Sequence, residues 1–170
     1  MYLYSRKSFF NNDESVHLWA IKQVDSRSEH THDFLELVYT ISGTVIHKID
    51  GQPYEATRNT LLFITPGQIH SLRSIGECEY VNILIKSDFI AEYAVDNDTF
   101  YNVFRFFMSN QEDKLSPDSQ MVKFKGDAAY ELKSIVNFML STKSNKLPGY
   151  TMILNGYTRV LLTKMFNILN

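Results

Sequence analysis

The sequence predicts a mainly β chain that ends in helices, an antiparallel sandwich or barrel followed by a helical pair. Three observations carry this expectation. Short apolar runs punctuated by Gly, Pro and Asn fill the first half. The apolar spacing then changes from every second residue to every third or fourth. Near the end, Pro148-Gly149 divides two amphipathic stretches, the arrangement of two antiparallel helices joined by a short loop.

The elements follow in order. Residues 15–25, SVHLWAIKQVD, set apolar side chains at Val16, Leu18, Ala20, Ile21 and Val24, an imperfect alternation that reads as a strand. Residues 34–42, FLELVYTIS, are rich in β-branched and aromatic types, and Gly43 is expected to end that run. Thr44–Asp50 gives the next strand, closed by the turn dipeptide Asp50-Gly51. Leu61–Thr65 stops at Pro66-Gly67, and Cys78–Lys86 is a further strand. Ser87-Asp88 can cap a helix through Phe89, Ile90 and Tyr93. Residues 99–108, TFYNVFRFFM, read as a short helix apolar all round and therefore buried, with Phe100, Phe104, Phe106 and Phe107 in core roles. A polar loop is expected over 110–120 and a last short strand at Met121–Lys125. Asp127–Ser141 then carries Tyr130, Leu132, Ile135, Val136, Met139 and Leu140 mainly along one side. The final helix, Tyr150–Leu169, carries Ile153, Leu154, Tyr157, Val160, Leu161, Lys164, Met165 and Ile168 at the same spacing.

Composition limits the function. The 170 residues suit one compact domain, with 44% hydrophobic and 14% aromatic residues and nothing that suggests disorder. Seventeen Lys and Arg are scattered, and the formal charge of −2 argues against a nucleic-acid surface in these residues. A single cysteine, Cys78, excludes an intrachain disulfide and leaves no paired-cysteine metal knuckle. No segment approaches a membrane span and no secretory leader opens the chain, so the cytoplasm is the expected location.

The candidate chemistry lies in His30-Thr31-His32-Asp33-Phe34-Leu35-Glu36. In an extended segment residues two apart share a face, so His30, His32 and Glu36 can point the same way. His70, after Pro66-Gly67, can join them from another strand. Three imidazoles and a carboxylate suit Zn, Ni, Mn or Fe(II) with positions left open; a metal-free polar pocket uses the same residues. His47 either faces inward beside the set or stands at the exposed edge of the core, and His17 is similarly open. Trp19 either lines the pocket, stacking on a sugar face or an apolar ligand, or packs in the core.

These residues carry a resemblance. His30-x-His32-x-x-x-Glu36, followed by six residues and Gly43, resembles the first signature of the cupins, the double-stranded β-helix barrels. Asn59, five residues, Thr65-Pro66-Gly67, two residues and His70 resemble the second. The likeness has departures: Asn59 replaces the usual Gly, Pro66 falls one place later than usual, and Val24 and Ser74 stand where Gly and Asn are common. Within the cupins, HTHDFLELVYTISGTVIHKIDGQPY, NTLLFITPGQIHSL and the tail GYTRVLLTKMFNIL resemble the ligand-binding and dimerisation domain of AraC-type transcriptional regulators. The likeness spans roughly residues 15–170.

The resemblance implies an N-terminal arm over residues 1–14, a cupin barrel over 15–90 and a helical dimerisation segment over 91–170 of the same domain. It implies that Tyr4, Phe9 and Phe10 of the arm can form a lid, a disordered leader being the alternative. It further implies a non-enzymatic sensor of a small-molecule effector, a sugar among the candidates, with a pocket of His30, His32, Glu36, His70, His47 and Trp19. Homodimerisation through the last helix would use Ile153, Tyr157, Val160, Leu161, Lys164 and Ile168. DNA would be bound only through a helix-turn-helix domain absent from this chain. Two other readings use the same residues: a metal-dependent cupin enzyme, dioxygenase or sugar isomerase, and a dimeriser with a vestigial pocket.

Overall fold

A computed structural model describes residues 2–11, 13–23, 25–94, 102 and 120–169. Eight strands form one sheet: β1 (Tyr2–Tyr4), β2 (Val16–Gln23), β3 (Ser26–His32), β4 (Leu35–Ile49), β5 (Gln52–Ala56), β6 (Thr60–Ile64), β7 (His70–Ile85) and β8 (Met121–Lys123). Among the described residues three α-helices with given bounds accompany them: α1 (Ser87–Ala94), α2 (Gly126–Asn145) and α3 (Tyr150–Leu169). Mainly β with C-terminal helices is therefore the architecture, as read from the sequence. The helix expected over 99–108 and the loop over 110–120 fall outside the described residues, apart from Asn102 and Gln120.

β4 and β7 are the spine. β7 is 16 residues long and pairs antiparallel with β2, β3 and β4; β4 also takes β5 and β6 as partners. β8, from the later part of the chain, returns to the sheet beside β6, with Leu61 opposite Val122.

Gly43 does not end a strand. β4 runs through it as one element, and the register to β7 shifts on both sides of Ser42. At φ +76° Gly43 sits in the left-handed region, and a Cβ there would lie 2.5 Å from the Glu77 carbonyl oxygen. Only glycine fits this bulge, which bends the strand and reverses which alternate residues face inward. Before it, Leu35, Leu37 and Tyr39 face the helices, and Glu36, Val38 and Thr40 face the opposite way. After it, Val45, His47 and Ile49 share that inner side, and Val38 and Val45 meet in one cluster with Leu72 and Tyr80.

The outer face of the sheet is covered by the helical hairpin. Leu132, Val136 and Met139 of α2 and Leu154, Leu161, Leu162 and Met165 of α3 pack on Leu37, Phe63, Val81 and Ile83. α3 has the bounds its spacing predicts. α2 continues past Ser141 to Asn145, because Lys146 takes a left-handed cap whose N–H donates to the Thr142 carbonyl at 3.1 Å. Pro148 and Gly149 then turn the chain into α3.

Candidate functional site

Six buried polar residues from three strands face the inner side. His30 and His32 come from β3, Glu36 and His47 from β4, and His70 and Asn82 from β7. Simple alternation along residues 30–36 is not what assembles them. The chain bends at Asp33-Phe34, so His32 ends one strand and Glu36 enters from the next. The bend carries the carboxylate back to the imidazoles: His32 Nε2 lies 3.0 Å from Glu36 Oε2.

Each of three imidazoles is oriented by a backbone carbonyl two residues away. Nδ1 of His30 donates to the Ser28 carbonyl at 2.8 Å, that of His32 to Phe34 at 2.8 Å and that of His70 to Gln68 at 3.2 Å. A carbonyl only accepts, so these nitrogens carry the hydrogen. In the neutral ring, Nε2 is then a lone pair aimed inward.

Two of those lone pairs, on His32 and His70, point at Glu36. Its Oε2 is 3.0 Å from His32 Nε2 and 3.3 Å from His70 Nε2, while Oε1 accepts from Asn82 Nδ2 at 2.8 Å. Burial alone would raise this carboxyl; the His32 and His70 contacts outweigh it and hold it well below the usual carboxylate range. A carboxylate facing neutral Nε2 atoms sets acceptor against acceptor. A proton on a ring or a metal ion between the groups reconciles them. Candidate donor atoms of His30, Glu36 and His70 lie within 4.8 Å of one another, and the His30 and His70 ring centroids are 4.0 Å apart.

His47 completes the interior. Position 47 would fall on the opposite face from Glu36 in an unbroken strand, and the Gly43 bulge brings it inward. Burial pushes its pKa down to about 4 and also lowers that of His30, so both rings are neutral near pH 7. Neither ring nitrogen of His47, nor Asn82 Oδ1, nor Thr40 Oγ1, has a hydrogen-bond partner among the described residues. Tyr80 and Asp25, also polar and partly buried, satisfy each other instead. Asn82 and Thr40 are absent from the expected set. Asn82 did leave a signal, as the lone amide in the apolar run Val81-Asn82-Ile83-Leu84-Ile85.

Trp19 sits at the border of this interior, opposite Asn82 in the β2–β7 ladder. It is half-buried and stacks on Phe9 of the arm with ring centroids 6.0 Å apart. Tyr4 stands edge-on to His30 at 5.2 Å, and β1 pairs with His30–His32. The arm is thus docked at the histidines.

On α3, Ile153, Val160 and Ile168 are exposed, Tyr157 stacks on Phe138 and Lys164 pairs with Glu131 at 2.6 Å. Leu161 departs from the expected interface. It is fully buried in the core of its own chain, because it lies on the stripe that faces the sheet.

A curled sheet with an acceptor-rich interior, backed by a helical hairpin, defines a small β module. The chain belongs to the AraC-like ligand binding domain family, whose model matches residues 15–122. It is similar to the HTH-type transcriptional activator RhaR of Escherichia coli (strain K12), 34% identical over 80 residues, 46% of this chain and 28% of that protein. RhaR of Salmonella arizonae is 32% identical over the same share. The matched part therefore spans less than a third of these relatives. Among solved structures, an RmlC-like cupin from Shewanella frigidimarina NCIMB 400 matches at 15% identity and a TM-score of 0.40, over 42% of this chain and 67% of that one. KdgF from Halomonas sp. matches at 9% identity and a TM-score of 0.40, over 44% and 72%. No helix among the described residues is long and apolar enough to cross a membrane.

Proposed function

We propose that this chain is the effector-sensing and dimerisation domain of a bacterial AraC-type transcription regulator. A small polar molecule enters the interior beside His30, His32, Glu36, His47 and His70, and the event is passed to a DNA-binding region. The observation that carries this reading is the set of polar atoms on His47, Asn82 and Thr40 that lack a partner among the described residues, on the same inner face as an ionised carboxylate. In a purely structural core each such atom costs about 1–3 kcal/mol. In a binding site they are partners held ready for hydroxyl or amide groups of a ligand.

The same residues fit a divalent cation. His30, Glu36 and His70 offer imidazole nitrogen and carboxylate oxygen, with His32 against the same carboxylate, a donor set suited to Zn, Ni, Mn or Fe(II). Bound there, an ion would supply a Lewis-acidic anchor for an effector oxygen. The carbonyls of Ser28, Phe34 and Gln68 fix the rings, and Asn82 fixes the carboxylate. Self-association belongs to the same proposal: the exposed stripe of Ile153, Val160 and Ile168, flanked by Tyr157 and Lys164, meets a second copy.

Thermal unfolding with Zn²⁺, Ni²⁺, Mn²⁺ or Fe²⁺ and a panel of neutral sugars and aromatic acids tests the reading. A ligand at a hundred times its Kd stabilises by about 2.7 kcal/mol, and Glu36→Gln should abolish that gain. Turnover of any of these compounds would favour the enzyme reading, and no stabilisation by any of them would remove the sensor. Sedimentation should give a dimer for the parent and a monomer for Val160→Glu; a monomeric parent at high concentration would remove the self-association.

A further inference from the structure

We infer that Glu14 is a latch which makes the docking of the N-terminal arm and the seating of the helical hairpin a single event. Glu14 is only 1% exposed although it closes the arm, immediately before β2. Its carboxylate gathers two groups distant in sequence and one nearby. Lys143 from the last turn of α2 donates to Oε1, Tyr150 at the start of α3 donates its hydroxyl to the same oxygen at 3.0 Å, and His17 of β2 lies 3.4 Å from Oε2. Lys143 also stands 3.3 Å from His17 Nδ1. One anion therefore ties the two ends of the α2–α3 junction to the sheet. The lysine is 13% exposed at its side chain, so removing the acid leaves a largely desolvated cation behind.

The other end of the same short segment lies on the candidate site. Residues 2–4 pair with His30–His32, Tyr4 touches the His30 ring, and Phe9 and Phe10 pack on Trp19 and Phe34. The arm's first residues are only lightly held, since Leu3 is 73% and Tyr4 40% exposed. A segment with so few buried contacts belongs to the low-stability end of a fold, where opening precedes global unfolding. Its release strips Glu14 from Lys143 and Tyr150, and loosening of the hairpin strips the arm of its anchor. A molecule entering beside His30 must move Tyr4, and the latch carries that movement to the helices.

The latch is a property of the chain without effector, so an interior that binds nothing would leave it standing. The one tryptophan, Trp19, reports arm docking through its Phe9 stack. Lys143→Met, which lies outside the arm, should raise acrylamide quenching of Trp19 and speed amide exchange of residues 2–4 roughly tenfold. Lys143→Arg should restore both. In the reverse direction, Phe9→Ala should speed exchange over residues 142–153. Tyr150→Phe removes one hydroxyl and gives a smaller change of the same sign; it serves as the test if Lys143→Met does not fold. Wild-type Trp19 quenching and arm exchange in a folded Lys143→Met or Tyr150→Phe protein would overturn the latch, reducing the cluster to a local ion pair.

Discussion

His47 shows how a single side chain can be placed for something other than stability. A buried imidazole with both nitrogens unpartnered is a net cost, and a leucine of similar volume removes it. We expect His47→Leu to raise unfolding free energy by about 1 kcal/mol in urea titrations while erasing ligand-linked stabilisation; a loss of stability would mean the imidazole is satisfied. The sequence could name this residue but not its side. Positions 36 and 47 differ by an odd number, so strict alternation opposes them, and nothing in Ile41-Ser42-Gly43-Thr44 states that a bulge flips the phase. His30, His32 and Glu36 meet through a corner at Asp33-Phe34 rather than by alternation along one strand. Glu14 left no mark at all, being one of two adjacent acids in a segment without apolar periodicity.

Elements were legible where apolar periodicity was strong. Tyr150–Leu169 emerged whole because an apolar stripe every three or four residues starts just after Pro148-Gly149. β3, Ser26-Arg-Ser-Glu-His-Thr-His, has no hydrophobic alternation, since its inner side is the polar site itself, and it was missed as an element. β7 was read only from Cys78 onward, because His70–Gly76 alternates between the same polar interior and solvent. β1 and β5 are short and were missed for want of any pattern. The bulge in β4 gives a sharp comparison. Gly43→Ala should cost several kcal/mol or prevent folding, as its Cβ would meet the Glu77 carbonyl and Cys78 Cα backbone atoms at 2.5 and 2.8 Å. Gly51→Ala, at φ +87° with nothing within 4 Å, should cost only about 1 kcal/mol. Equal losses in chemical denaturation would refute the bulge as a steric requirement.

For the whole molecule, the acid limit of stability should bear the signature of Glu14. Burial alone would raise its carboxyl, but hydrogen bonds from Lys143, Tyr150 and His17 outweigh this and bring it down to about 2, against 4.5 for the free group. The unfolded chain therefore binds the proton more readily between these values. The stabilisation is complete above about pH 4.5 and is lost as pH falls towards 2, amounting to about 3 kcal/mol at most. Glu14→Gln should be less stable at neutral pH and should lose less on acidification through this window. A parallel pH profile for parent and variant would show that the carboxylate is not the titrating group.

The long β7 also has a consequence for biosynthesis. Val16 of β2 and Leu35 of β4 both lie opposite Ile85, the last residue of that strand. While the ribosome is still making the first seventy or so residues, β2 lacks its β7 partner and β4 has only β5 and β6 to zip against. Pairings of such long range put folding in the millisecond-to-second range, whereas the neighbouring helices of the hairpin can meet far sooner. Until β7 emerges, the nascent chain is at its most exposed to wrong association, and chaperone demand should peak there.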